Sequence, residues 1–181
     1  MRKNGIAIII LLILVVWGVY DYTNNNGQQN KQGSTSGAKV GIAKGNMAPD
    51  FNLLSLDEKE VKLSDFVGKK VILNFWATWC PPCRVEMPHM EKVFKNDGDN
   101  VIVLSVNLTQ TEKGESDVRA FVEDFGLTFP VVMDTKGDVA STYQISAYPT
   151  SYFIDSQGII REIFKGAIND EIMEKALSKI N

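Results

Sequence analysis

The chain has 181 residues, 44% hydrophobic and 23% charged, enough apolar material for a packed domain and an argument against disorder as its default state. Its 19 basic and 22 acidic residues leave a formal net charge of −3, with neither a basic stripe for nucleic acid nor an acidic tail for a polycation. Two cysteines are the chain's only thiols and one histidine its only imidazole.

Residues 1–4 are basic, and the following run from Gly5 to Tyr20, "GIAIIILLILVVWGVY", carries no charge. At about 1.5 Å per residue it measures roughly 24 Å, a little under the ~30 Å of bilayer hydrocarbon. Trp17, Tyr20 and Tyr22 gather at its outer end, where amphipathic rings favour the headgroup layer, and Arg2 and Lys3 hold the other end in the cytoplasm. The expectation is a single-pass transmembrane signal-anchor over residues 5–22, with the rest of the chain extracytoplasmic at the cell membrane. A cleaved secretory signal is the alternative. It calls for small residues at a cut site, and the chain continues "DYTNNNGQQ" without an A-x-A pattern. Either reading exports the remainder of the chain. Residues 23–44, rich in Asn, Gln, Gly and Ser, read as a flexible linker, and residues 45–181 as one domain.

Within that domain, the patches at Phe51–Leu54 and Val61–Leu63 flank "DEKE" and predict a hairpin or paired edge strands. A helical turn at Ser64–Phe66 ends at Gly68. The near-continuous apolar run Val71–Trp76 predicts a strand buried on both faces. From Pro81 to about Lys95, Val85, Met87, Met90, Val93 and Phe94 recur at helical spacing, with Pro88 interrupting. Val101–Val106 is a second buried strand. Ser116 is the expected cap of a helix reaching Phe125, stopped by Gly126. "FPVVMD" predicts a strand, Asp138–Tyr143 a short helix, and "TSYFID" and "IIREIF" a hairpin about Ser156–Gly158. Asn169 caps a last helix expected to bury Ile172, Ala176, Leu177 and Ile180. Strands alternating with helices, then a hairpin and a helix, describe an α/β domain with a mixed central sheet.

Cys80 and Cys83 stand three apart with Pro81 and Pro82 between them. A purely structural disulfide is disfavoured, because so small a ring constrains the unfolded chain little. Zinc needs about four ligands, and one C-x-x-C pair with His89 does not supply them. Haem attachment needs C-x-x-C-H, and Arg84 follows Cys83. Redox chemistry fits better. Cys80 falls between a buried strand and a helix, whose first turn favours a thiolate. Pro81 suits the first helical position, since the N–H it lacks has no partner there. Cys83, one turn inward, is placed to resolve a mixed disulfide at Cys80.

"FWATWCPPC" resembles the active-site turn of thioredoxin-fold proteins, and "GNMAPDFNLLSLDEKEVKLSDFVGKKVILNFWATWCPPCRVEMP" is similar to the membrane-anchored TlpA/ResA-like thiol–disulfide oxidoreductases. The resemblance covers roughly residues 45–181. It implies a thioredoxin-like fold with an N-terminal β-hairpin extension and a βα insert from about Val101 to Pro130. It also implies a reversible Cys80–Cys83 disulfide as the redox centre, with no metal and no other cofactor. Pro88 matches the family's helix-kinking proline, and "AYPTSYFID" its cis-proline loop. Tyr148, Pro149 and Thr150 then join Trp79 and Pro82 as supporting or substrate-contacting residues, with Pro149 cis. The implied partners are disulfide-containing proteins, such as apocytochrome c at its haem-site cysteines or cell-envelope proteins. A membrane electron donor of the CcdA/DsbD kind would return the electrons.

The sequence also departs from the family. Where thioredoxin-like proteins often bury an aspartate, this chain has Asn74, and no acid lies between its cysteines. That leaves the base for Cys83 unassigned. Glu86 is either a helix-supporting or solvated carboxylate or a group for proton transfer or substrate contact, and Trp79 either packs or touches substrate. Three rival functions remain. "APDFNL" also opens peroxiredoxins, but their P-x-x-x-T-x-x-C pattern meets Leu73 and Ala77 here. A DsbA-type thiol oxidase or isomerase and a non-catalytic thioredoxin-fold binding module are the others.

Overall fold

The computed structural model describes Val15, residues 38–98 and residues 100–180. The signal-anchor expectation and residues 23–37 of the linker expectation lie, Val15 apart, outside the described residues. Among the described residues no helix is long and apolar enough to cross a membrane.

Seven strands form one sheet: β1 (Asn52–Ser55), β2 (Glu60–Lys62), β3 (Lys70–Trp76), β4 (Val101–Asn107), β5 (Val131–Met133), β6 (Thr150–Ile154) and β7 (Ile160–Lys165). Their order is β2-β1-β5-β4-β3-β6-β7. The helices are α1 (Pro81–Asp97), α2 (Glu115–Asp124), α3 (Asp138–Thr142) and α4 (Asp170–Leu177), with 3-10 turns at Leu63–Phe66 and Thr109–Thr111. β3, β4 and β5 run parallel and the outer pairings are antiparallel. Parallel neighbours need a crossover, and α1 and α2 supply the two. This is the expected thioredoxin-like α/β sheet, with β1–β2 as the hairpin extension and β4–α2 as the insert.

Because β3 and β4 are covered on both faces, their side chains enter two cores by alternation. Ile72, Trp76, Val103 and Phe153 face α1, α2 and α4, meeting Met87, Met90, Val118, Phe121 and Met173. Val71, Leu73, Phe75, Leu104 and Val106 face the other way, against Tyr143, Tyr152, α3 and the segment holding Ala48 and Leu63. One polar residue interrupts the first pattern on β3: Asn74, fully buried. The β6–β7 turn closes at Gly158, whose φ of +82° is a backbone region that L side chains rarely adopt.

The structure shifts four sequence expectations. Hydrogen bonding to the domain begins upstream of Gly45, with Met47 N–H donating to Lys39 O at 3.0 Å and Gly41 N–H to Met47 O at 3.0 Å. α1 starts at Pro81 as expected, but Val85 is 64% exposed, and the buried stripe contains Glu86 and Glu91 in its place. α2 is capped by extended Gly114, with Ser116 already inside its first turn. In α4, Asn169 caps through the Ile172 N–H as expected, yet Met173 is the residue buried and Ile172 is exposed.

The two faces of α1 should respond differently to truncation. Met87→Ala, which empties a fully buried site, should cost about 2–5 kcal/mol of unfolding free energy. Val85→Ala should stay within about 0.5 kcal/mol. Urea denaturation of the two variants checks this, and equal losses would refute the assigned helix face.

Candidate active site

β3 ends at Trp76, and Ala77–Thr78–Trp79 turn the chain into Cys80, the N-cap of α1, in extended geometry at φ −86°, ψ 108°. Pro81 and Pro82 are the first helical residues, so neither contributes an N–H to the helix's unpaired set. The first N–H that the helix offers is that of Cys83, and it donates to Cys80 Sγ at 3.3 Å. Arg84 N–H donates to Cys80 O at 3.2 Å, closing the first turn. The two cysteines form a disulfide with Cα atoms 5.3 Å apart. Both are buried, Cys80 at 2% exposure and Cys83 at none, so the expected shielding of Cys83 is a difference of degree.

The Tyr148–Pro149 peptide is cis. Pro149 is buried at the mouth of β6, its carbonyl accepting from Gly166 N–H at 2.8 Å. Thr150 pairs with Phe75 of β3 and ties the loop back through its hydroxyl, which donates to Ala147 O at 2.8 Å. Tyr148 packs against the apolar cluster that holds both cysteines. Its ring meets Trp79 edge-on, with centroids 5.7 Å apart. Trp79 is 51% exposed, whereas Trp76 is sealed in the core against Phe121. The structure therefore brings Trp79, Cys80, Cys83, Tyr148, Pro149 and Thr150 to one end of the sheet, with Pro82 exposed at the helix start.

Glu86 changes most between sequence and structure. The solvated alternative is overturned: its side chain is fully buried. Oε1 accepts from the Ile168 backbone N–H at 3.1 Å and Oε2 from Asn74 Nδ2 at 3.1 Å. Asn74 Nδ2 also donates to Ser151 Oγ at 2.9 Å. Burial pushes the Glu86 carboxyl up to about 8, while the donors from Ile168 and Asn74 pull it part of the way back. Glu86 stands three residues after Cys83, a spacing that puts two side chains on one helix face. His89 lies further along α1, its Nδ1 3.0 Å from Asp170 Oδ1.

Two residues near the turn carry no sequence signal. The Glu112 carboxylate reaches Thr78 across 34 residues, accepting from its N–H at 2.7 Å and from its hydroxyl at 2.5 Å. Thr111 Oγ1 accepts from Trp79 Nε1 at 3.1 Å. Among the described residues, no group of three or more His, Cys, Asp or Glu side chains could hold a metal ion.

The chain is similar to known proteins along most of its length. The AhpC/TSA family pattern matches residues 44–163. The chain is 44% identical over 177 residues to the thioredoxin-like protein YneN of Bacillus subtilis, covering 98% of each. It is 38% identical over 175 residues to the thiol-disulfide oxidoreductase ResA of Geobacillus kaustophilus, covering 95% of this chain and 92% of that one. Among solved structures, StoA from Bacillus subtilis superposes with a TM-score of 0.64 at 30% identity, over 71% of this chain and 96% of that one.

A buried carboxyl with a raised pKa makes stability fall as pH climbs. Between the ordinary carboxyl value of 4.5 and about 8 the folded state holds a proton that the unfolded state has released. Glu86→Gln abolishes that difference. Its stability relative to the parent should therefore grow from about pH 5 to pH 8 and level off above. Thermal melts across this range test it, and parallel curves would exclude a buried, proton-holding Glu86.

Proposed function

We propose a function from one premise: the chain belongs to the AhpC/TSA family and, within it, to the thioredoxin-like thiol–disulfide oxidoreductases. It acts outside the cytoplasm, tethered by its N-terminal segment, and reduces disulfides in other proteins. The observation that carries this is the Cys80–Cys83 disulfide at the start of α1, where Cys83 N–H points at Cys80 Sγ. The uncharged run behind a basic N-terminus supports the tether and the location.

In the reduced protein, the Cys83 N–H and the positive end of α1 stabilise a thiolate at Cys80. That thiolate attacks a substrate disulfide. The Cys80 Sγ–S bond forms, the substrate S–S bond breaks, and the first substrate thiolate departs. Cys83 passes its proton to the Glu86 carboxylate and attacks Cys80 Sγ, which expels the second substrate thiolate and closes the Cys80–Cys83 disulfide. The substrate gains two electrons, and a membrane dithiol donor of the CcdA/DsbD kind returns them to the protein. Burial suits Glu86 to this step, because a base poised near working pH both accepts and releases a proton readily. Trp79 and Tyr148 flank the sulfurs as apolar contacts for the incoming chain. The haem-site cysteines of apocytochrome c and cell-envelope proteins are the proposed substrate classes.

Peroxidase chemistry has less to stand on. Thr78 precedes Cys80 by two residues, and its hydroxyl is committed to Glu112 at 2.5 Å.

Three measurements on the full chain in detergent test the proposal. Cys83→Ser should accumulate a mixed disulfide at Cys80, and Cys80→Ser should form no adduct and reduce no substrate. The midpoint potential should lie well below the roughly −120 mV of a strong thiol oxidant; a value that high would make the protein an oxidase. Glu86→Gln should slow release of the mixed disulfide about a hundredfold near neutral pH. An unchanged rate across pH would remove Glu86 from the proton path.

A further inference from the structure

The turn that delivers Cys80 is gripped from outside by the connection between β4 and α2. Both oxygens of Glu112 are engaged: Oε1 accepts from Thr78 N–H at 2.7 Å and from Asn107 Nδ2 at 2.9 Å, and Oε2 from the Thr78 hydroxyl at 2.5 Å. One residue earlier, Thr111 Oγ1 takes the Trp79 indole N–H at 3.1 Å and donates to Leu108 O at 2.8 Å. The remaining polar group of Thr78, its carbonyl, lies 3.4 Å from Arg84 Nη1. That guanidinium sits over the rings of Phe121 and Phe125, 5.1 and 5.0 Å from their centroids. Thr78 is thus held on one side by a carboxylate and on the other by a guanidinium braced against the same insert.

A neutral acceptor could cap this turn equally well. A carboxylate adds a charge, and hydrogen bonds to it do not remove that charge. We infer that Glu112 is a positioning residue for the dithiol: it pins Thr78, fixes the turn that presents Cys80, and sets a negative charge there in opposition to the positive end of α1. The inference rests on the thiol–disulfide exchange reading of the site. Its consequence is a nucleophile whose thiolate form is restrained, which disfavours the dithiol state and keeps the protein a donor of electrons. The charged and titratable groups around the turn are Cys83, Arg84 and Glu86 on α1, Glu112 from the β4–α2 connection and Tyr148 before β6. Phe121 and Phe125 contribute the rings beneath Arg84.

Two residues of chain reach at most about 7 Å, and the hydrogen bond to Thr78 N–H, the N–Cα bond and the Cys80 side chain add about 7 Å more, so the Glu112 charge lies within roughly 14 Å of Cys80 Sγ. At that range its removal is worth about half a pH unit. The test uses the reduced full chain in detergent, with the rate of Cys80 alkylation by iodoacetamide followed against pH. Glu112→Gln should move the midpoint down by about half a unit and shift the glutathione equilibrium toward the dithiol. Glu112→Asp keeps the charge and should keep the midpoint, with slower exchange because the shorter side chain no longer spans Thr78. A midpoint unmoved in Glu112→Gln, with melting temperature alone lowered, would reduce Glu112 to a structural cap and overturn the inference. Should Glu112→Gln fail to fold, Thr78→Val deletes one donor only. It should slow exchange while leaving the melting temperature nearly unchanged, and an unaltered rate would count against the clamp. Turnover of an insulin disulfide by the parent protein tests the exchange reading separately, since the alkylation midpoint needs no substrate.

Discussion

A sulfur atom occupies the place of a helix-capping oxygen, and the site is arranged around that contact. An α-helix normally begins with several unpaired N–H groups. Here Pro81 and Pro82 remove the first two, and the third belongs to Cys83, which donates to Cys80 Sγ at 3.3 Å. The helix's opening donor and the partial charge of its end are therefore delivered to one atom. Moving either cysteine by one position would send that donor elsewhere. The sheet serves the same contact: β3 aims Cys80 at the edge where α1 begins, and antiparallel β6 brings Pro149 to the same edge through the Thr150–Phe75 pairing.

Much of this was legible along the chain because it depends on local rules. Buried parallel strands read as unbroken apolar runs, prolines mark a helix start, and a C-x-x-C pair has few chemical uses. Pattern and fold part company where a residue's character and its position disagree. The stripe of α1 facing the sheet runs through Cys83, Glu86, Met87, Met90 and Glu91. Two of its members are acidic, so an apolar pattern reaches for Val85, which lies on the opposite side. Helical phase counted from Cys83 places Glu86 inward, whatever its polarity. Ile172 and Met173 differ in the same way, as apolar neighbours of which only one meets the core.

Other features had no local signal. Burial of Glu86 is tolerable because Ile168 N–H and Asn74 Nδ2 reach it from 82 and 12 residues away. Glu112 finds Thr78 only because the parallel β3–β4 pairing sets Trp76 beside Asn107, so that the residues following each strand meet at one edge. A chain read in one dimension leaves Glu86 between two alternatives and gives Glu112 no role at all. The sheet register makes one a sealed carboxyl and the other a clamp.

Buried Glu86 also explains why an amide at position 74 is compatible with redox chemistry. An aspartate there would lie within hydrogen-bond reach of Glu86, and two carboxyls sharing one dry site cannot both ionise. Their titrations would merge into a pair, with one group forced far above neutrality. Asn74 donates instead: its Nδ2 stabilises the ionised form of Glu86 without competing for the proton. Burial raises the carboxyl and the amide limits the rise, leaving a single titrating group near 8. One titrating group of defined affinity is a simpler arrangement in a dry site than a coupled pair. Pro81 and Pro82, between the cysteines, shape the helix end.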